Sequence, residues 1–75
     1  MQFIEVSGKT LLQLVSDDEL HPGELAASGI NEESIIRINR QGDIELRRED
    51  GWDLIGGLLG DFEERIKHQT GLKWA

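Results

Sequence analysis

The run Asp50–Lys67, DGWDLIGGLLGDFEERIK, constrains this chain most, because it carries a helical apolar stripe with three glycines set into it. At about 100° per residue, Trp52, Ile55, Leu58, Leu59, Phe62 and Ile66 fall within an arc of roughly 120°, the width of one core-facing stripe. Asp53, Asp61, Glu63, Glu64, Lys67 and His68 lie outside it. Asp50 suits an N-cap, and Asp53 stands at the capping-box position. The acidic start and the Arg65, Lys67 end both oppose the helix dipole favourably. Gly71 supplies a left-handed stop. The pattern predicts an amphipathic C-terminal helix from Asp50 to Lys67, with the rest of the chain covering its stripe.

Gly56, Gly57 and Gly60 work against that helix. An interior glycine costs about 0.8–1.0 kcal/mol relative to alanine, so three cost roughly 3 kcal/mol, and a small domain has little stability to spare. Gly56 and Gly60 stand four residues apart beside the stripe, next to Trp52 and Glu63. That placement implies a close approach to the backbone. The approaching element is a strand or helix of the same chain, the weightier alternative, or the matching helix of a second copy. The GxxxG spacing adds little, since its packing logic belongs to membranes and the segment is too charged to span one. A break near Gly57, with Asp61 capping a second helix, is the third alternative.

Size makes association attractive. A chain of 75 residues forms one domain, residues 1–75, and buries only about 60% of its unfolded surface. It has no cysteine, which removes disulfides and thiolate metal sites. Cysteine usage fits a reducing cytosol, and Met1 is followed by an alternating run rather than a basic and apolar leader. The expected location is cytoplasmic. The formal charge of −7 is uneven: residues 1–34 carry seven acids and one lysine, whereas residues 35–75 carry eight acids and seven bases. Such a chain is repelled by nucleic-acid backbone and by anionic membrane.

Ile35–Arg48 is the clearest β signal, and its register follows from facing. Ile36 and Ile38 share one face of the first strand, Ile44 and Leu46 one face of the second. A two-residue Gln41-Gly42 turn would set Ile38 against Glu45, an apolar residue against a charge. A three-residue loop, Arg40-Gln41-Gly42, instead pairs Ile38 with Ile44, Ile36 with Leu46 and Arg37 with Glu45, a favourable cross-strand pair. Gly42 then takes the left-handed position such loops require. Earlier in the chain, Met1–Val6 alternates as a strand with Ile4 and Val6 on one face and Phe3 on the other. If both faces are partly covered, the strand is central or shared with a partner. Thr10–Val15 reads as a short helix, and Pro22–Ser28 as another with Pro22 in its first turn and Gly29 as its stop. Asn31 suits the cap of a further turn through Ser34. The expected fold is α+β: a small, mainly antiparallel three-stranded sheet in the order β-α-α-β-β-α, packed against the C-terminal amphipathic helix. Trp74 in the tail is either docked on the body or open to a partner.

The motifs that resemble chemistry fail on inspection. Gly8-Lys9-Thr10 sits between strand and helix, where a phosphate-binding loop ends, but GxxxxGK[ST] needs a glycine where Phe3 stands, and Glu5 would repel phosphate. His21 with Asp17, Asp18, Glu19 and Glu24 has the donor types for a divalent cation, yet no ligand-loop spacing, and reads better as a solvated acidic turn. His68 belongs on a polar, exposed helix face. Two distant histidines without cysteine assemble neither a zinc site nor a Cys-His nucleophile. Ser7, Ser16, Ser28 and Ser34 sit at element ends, where serine caps. No cofactor, metal or small-molecule ligand is expected.

Arg37, Arg40, Arg47 and Arg48 share the hairpin, and basic β-ribbons can enter DNA grooves. Glu45, Glu49 and Asp50 interrupt that patch, so nucleic-acid association is the alternative. The leading expectation is a small acidic protein–protein interaction or regulatory module without catalysis, acting on a protein partner or as a homodimer. Its candidate contact residues are Trp52, Gly56, Gly60 and Trp74.

Overall fold

The computed structural model describes residues 2–16, 19–20, 27–72 and 74. Its elements are β1 (Phe3–Ser7), α1 (Gly8–Leu14), β2 (Ile35–Asn39), β3 (Asp43–Arg48), β4 (Gly51–Gly57) and α2 (Phe62–Thr70). The four strands form one antiparallel sheet in the order β1-β2-β3-β4. The architecture is therefore α+β, but the sheet has four strands where three were expected.

The hairpin takes the derived register. Ile36 faces Leu46, Arg37 faces Glu45 and Ile38 faces Ile44. Gly42 has φ +89°, and a Cβ there would also meet the Leu58 carbonyl at 3.0 Å. Asn39 closes the loop: its Oδ1 accepts from the Gln41 amide at 3.0 Å and the Asp43 amide at 2.9 Å. Those bonds account for a buried asparagine at the end of β2.

The expected helix from Asp50 is corrected. Its first half is β4, which pairs with β3 from Arg48↔Gly51 to Asp43↔Gly57. A strand there satisfies the open edge of β3, and glycine in a strand marks a bulge or a close backbone approach, as at Gly56 beside the Glu19 carbonyl. The register shifts between Ile44 and Glu45: Glu45 faces Leu54 and Ile44 faces Gly56, so Ile55 is the extra residue of a bulge. The helix begins only after Gly60, which turns the chain at φ +66°. Asp61 occupies the N-cap position without a side-chain cap bond; its carbonyl accepts from the Glu64 amide at 3.0 Å. Of the expected C-terminal features, Lys67 lies in the last turn, with His68, and Gly71 stops α2 at φ +74°, while the acidic first turn is made by Glu63 and Glu64 rather than by residues at Asp50.

Helix α1 begins where the rejected phosphate-loop motif lies. Ser7 caps it by accepting the Thr10 amide at 3.2 Å. Gly8 is needed because a Cβ there would sit 1.8 Å from the Asn31 carbonyl oxygen. Asn31 organises its own turn, accepting the Glu33 amide at 2.8 Å. Of the expected Pro22–Ser28 helix, Ala27 and Ser28 are helical and residues 22–26 lie outside the described residues, as do Asp17, Asp18 and His21.

One side of the sheet, the inner face, carries the core. Ile4 and Val6 of β1, Ile36 and Ile38 of β2, and Ile44 and Leu46 of β3 are all buried there. Leu11 and Leu14 of α1, Ile66 of α2, Leu20 and Leu58 complete the cluster. Among the described residues β1 is an edge strand rather than a central one. No described helix is long and apolar enough to cross a membrane.

Candidate interaction face

The outer face of the sheet is built by alternation: residues two apart along a strand share a side. Phe3 and Glu5 of β1, Ile35 and Arg37 of β2, Glu45 and Arg47 of β3, and Trp52 and Leu54 of β4 point away from the core. Arg37 organises them. Its Nε donates to Glu45 Oε1 at 2.9 Å and its Nη2 to Glu45 Oε2 at 3.3 Å. The guanidinium lies 4.0 Å from the Phe3 ring centroid and 4.3 Å from that of Trp52, within cation–π range of both. Arg47 approaches the same indole at 5.5 Å. Two fixed aromatic rings thus hold one fixed cation, with Leu54 (63% exposed) and Ile35 (52% exposed) beside them.

The expected contact residues do not converge. Trp52 lies on the outer face, half-buried. Gly56 faces inward, where an added Cβ would stand 3.1 Å from Leu20 Cδ1 and 3.5 Å from the Glu19 carbonyl. Its close neighbour is therefore the same chain, the weightier of the two sequence alternatives. Gly60 has nothing within 4 Å of its Cβ position and serves a turn. With Gly56 in a strand and Gly60 in a loop, the two form no helix flank. Trp74 is docked: its Nε1 donates to the Ile38 carbonyl at 3.1 Å, and its ring meets Phe62 edge-on at 5.9 Å.

The arginines are also divided. Arg37 is committed to Glu45. Arg48 pairs with Asp53 at 3.0 Å, and Arg40 donates to the Gln2 side chain at 3.2 Å. Among the described residues no carboxylate pairs with Arg47, which is exposed.

Sequence reasoning missed the network beneath the other face. Glu19, read as part of a solvated acidic break, has its side chain 2% exposed against Arg65. Glu19 Oε1 accepts from Arg65 Nη1 at 2.7 Å, the Ser16 amide at 3.0 Å and the Ser16 hydroxyl at 3.1 Å. Its Oε2 accepts from Arg65 Nη2 at 2.5 Å and from the Leu59 amide. Arg65 also donates to the carbonyls of Leu14 at 2.9 Å and Leu59 at 2.8 Å. The Arg65 guanidinium, helped by the Leu59 and Ser16 amides and opposed by burial, holds the Glu19 carboxyl at about 2, against an ordinary 4.5. Glu19 in turn raises the Arg65 pKa. The pair ties the end of α1, Ser16 and the loop into α2 together.

Beside it lies an open groove of about 410 Å³ between α1 and α2, lined by Gln13, Asp61, Glu64, Arg65 and His68 among others. Arg65 Nε is buried there without a hydrogen bond, 3.8 Å from Asp61 Oδ1. His68 is exposed, as expected. Among the described residues no three His, Cys, Asp or Glu side chains are grouped to hold a metal ion. No protein-family model, curated protein or solved structure matches the chain.

Proposed function

We propose that this chain is a small cytoplasmic interaction or regulatory module that carries no catalytic site and binds a protein partner through the outer face of its sheet. The observation that supports this reading is the ordered cluster of Phe3, Arg37 and Trp52, flanked by exposed Leu54 and Ile35. Tryptophan and arginine dominate binding hot spots because they offer large contact area, and here both are already held in place. Little side-chain entropy remains to be lost on binding. Of the residues selected from sequence, Trp52 belongs to this face; Gly56, Gly60 and Trp74 act in turn and core.

A photoreactive amino acid at position 54, with position 63 on α2 as control, tests the face in cells. Defined adducts from position 54 and none from 63 are expected; equal yields, or none from either, overturn the reading. Sedimentation at high micromolar concentration tests the homodimer form, and a monomeric mass leaves only a different partner.

Nucleic-acid binding through the arginine hairpin is the weaker reading, because Arg37 and Arg48 are each held by a carboxylate. Arg47, which lies over Trp52, and Arg40, bonded to Gln2, have no carboxylate partner among the described residues and favour it. It requires binding at low salt that falls steeply as salt rises.

A further inference from the structure

We propose that the free edge of β1 accepts an extended segment of a partner protein as a fifth strand, and that this segment carries a basic residue opposite Glu5 between two apolar ones. The proposal rests on the interaction reading above and names where, and to what chemistry, the sheet would be extended.

The phase of the ladder shows which groups are free. The Gly8 amide donates to the Ser34 carbonyl at 2.8 Å, continuing the β1–β2 register by one pair beyond Ser7↔Ile35. Bonded and non-bonded pairs alternate in an antiparallel ladder. Val6↔Ile36 and Ile4↔Ile38 are therefore the bonded pairs. The hairpin gives the same phase independently: the Asn39 carbonyl accepts from Gly42 on the β3 side, so Ile38 faces β1. Phe3 and Glu5 consequently turn their N–H and C=O groups to the open side. Among the described residues, β1 pairs with β2 alone.

The sheet's two edges are built differently. β4 carries a bulge at Ile55 and turns Asp53 to the inner side opposite Leu46; bulges and inward charges are devices that blunt an edge against strand addition. β1 has neither. Its five residues pair in unbroken register, with only Ile4 and Val6 facing the core.

Charge selects the occupant. Glu5 is exposed, and Arg37, directly opposite it, is bound to Glu45. Glu5 has no ion-pair partner among the described residues. A groove of about 300 Å³ at the C-terminal end of β1 adds exposed Glu33 to Glu5. A second copy fits poorly, since each chain bears −7 and a pairing centred on Glu5 would oppose two glutamates. A strand with lysine opposite Glu5 and valine opposite Ile4 and Val6 makes a favourable cross-strand pair and extends both faces in phase.

The probe is the peptide acetyl-Thr-Val-Lys-Val-Thr-amide, titrated into the isotope-labelled full chain and followed by amide shifts. Shifts centred on Phe3, Glu5 and Ser7 are expected, with slowed exchange of the Phe3 and Glu5 amides. The peptide with glutamate for lysine should bind about fivefold to tenfold more weakly, and Glu5→Lys should invert that order. Glu5→Pro, which removes an edge-facing donor together with the carboxylate, should abolish binding of both the lysine and the glutamate peptide while the spectrum of β2 and β3 persists. The same peptide methylated on its sheet-facing nitrogens should not bind. Silence at β1 with every peptide overturns the edge, as do shifts confined to Trp52 and Leu54, unchanged preference in Glu5→Lys, or β1-mediated dimerisation without peptide. Adducts from position 54 with a silent edge would leave the interaction face standing and remove only the fifth strand.

Discussion

Two arginine–glutamate pairs sit on opposite sides of the sheet, and their surroundings give them opposite roles. Arg65 and Glu19 meet under the inner layer, where Arg65 is 29% exposed but the Glu19 side chain only 2%, and among the described residues the pair's other hydrogen bonds run to backbone or to Ser16. Arg37 and Glu45 meet on the open face, 24% and 21% exposed, with aromatic rings on both sides of the guanidinium. The first pair joins segments far apart in sequence. The second joins neighbours that the hairpin has already placed together. An ion pair that the backbone depends on is structural, whereas one that rests on a finished sheet is free to be read by a partner.

Breaking the buried pair should produce the largest effect. Arg65→Ala leaves the Glu19 carboxylate buried among two amides and a hydroxyl, a change that costs about 3–5 kcal/mol against total stabilities of roughly 5–15 kcal/mol. Denaturant melts should show a large loss of stability or outright unfolding. Glu19→Gln should cost less, because an amide oxygen still accepts from the Leu59 amide or from Ser16. If Arg37→Ala proves as costly as Arg65→Ala, the division into a structural and a presented pair fails.

The same pair should dominate the acid limb of stability. The folded Glu19 carboxyl, at about 2, lies below its ordinary 4.5. The folded state therefore binds its proton less readily, and this contribution is complete above about 4.5 and lost as pH falls through about 2. At 1.36 kcal/mol per pH unit it amounts to at most on the order of 3 kcal/mol. Melts of the wild-type chain between pH 6 and 2, compared with Glu19→Gln, should show a shallower acid limb in the variant.

What could be read in advance divides along the same line. The β2–β3 register was legible because Ile36, Ile38, Ile44 and Leu46 share a face under only one loop length. The strand at Gly51–Gly57 was not, because Trp52, Ile55, Leu58 and Leu59 fit a helical spacing as well as their real positions. The bulge at Ile55 breaks the alternation that would have revealed β4: Trp52 and Leu54 face out while Ile55 packs on the core. Leu54 falls outside the helical stripe and lies on the outer face of β4 opposite Glu45. Glu19 gave no local signal, since its partner lies in α2 and its other contacts are mainly backbone amides. Of the face, Trp52 and the Arg37–Glu45 pairing were legible; that Phe3 completes the stack depends on β1 lying beside β2, which spacing alone does not specify.

Arg37→Lys probes the presented pair at smaller cost. Lysine keeps the charge near Glu45 but loses the planar group between the two rings. Stability should change by less than about 1 kcal/mol, while adduct formation from position 54 should fall severalfold if the stacked guanidinium orders the face. A full yield in Arg37→Lys would show that Leu54 and Ile35 carry the contact without it.

The smallest thermodynamic effect should come from the Arg48–Asp53 pair, 39% and 51% exposed, where Asp53→Val should shift stability by within about 0.5 kcal/mol. Its consequence should appear in association instead. Asp53 is the charge that β4 turns inward at its open edge, and valine would make that edge continuous with Trp52, Leu54 and Ile55. Sedimentation should show concentration-dependent self-association of Asp53→Val at concentrations where the wild-type mass is unchanged. The bulge at Ile55 would remain, so weak association is the expected degree. An unchanged mass at all concentrations would mean that the bulge alone protects β4, and that an inward charge is not what separates the closed edge from the open one at β1.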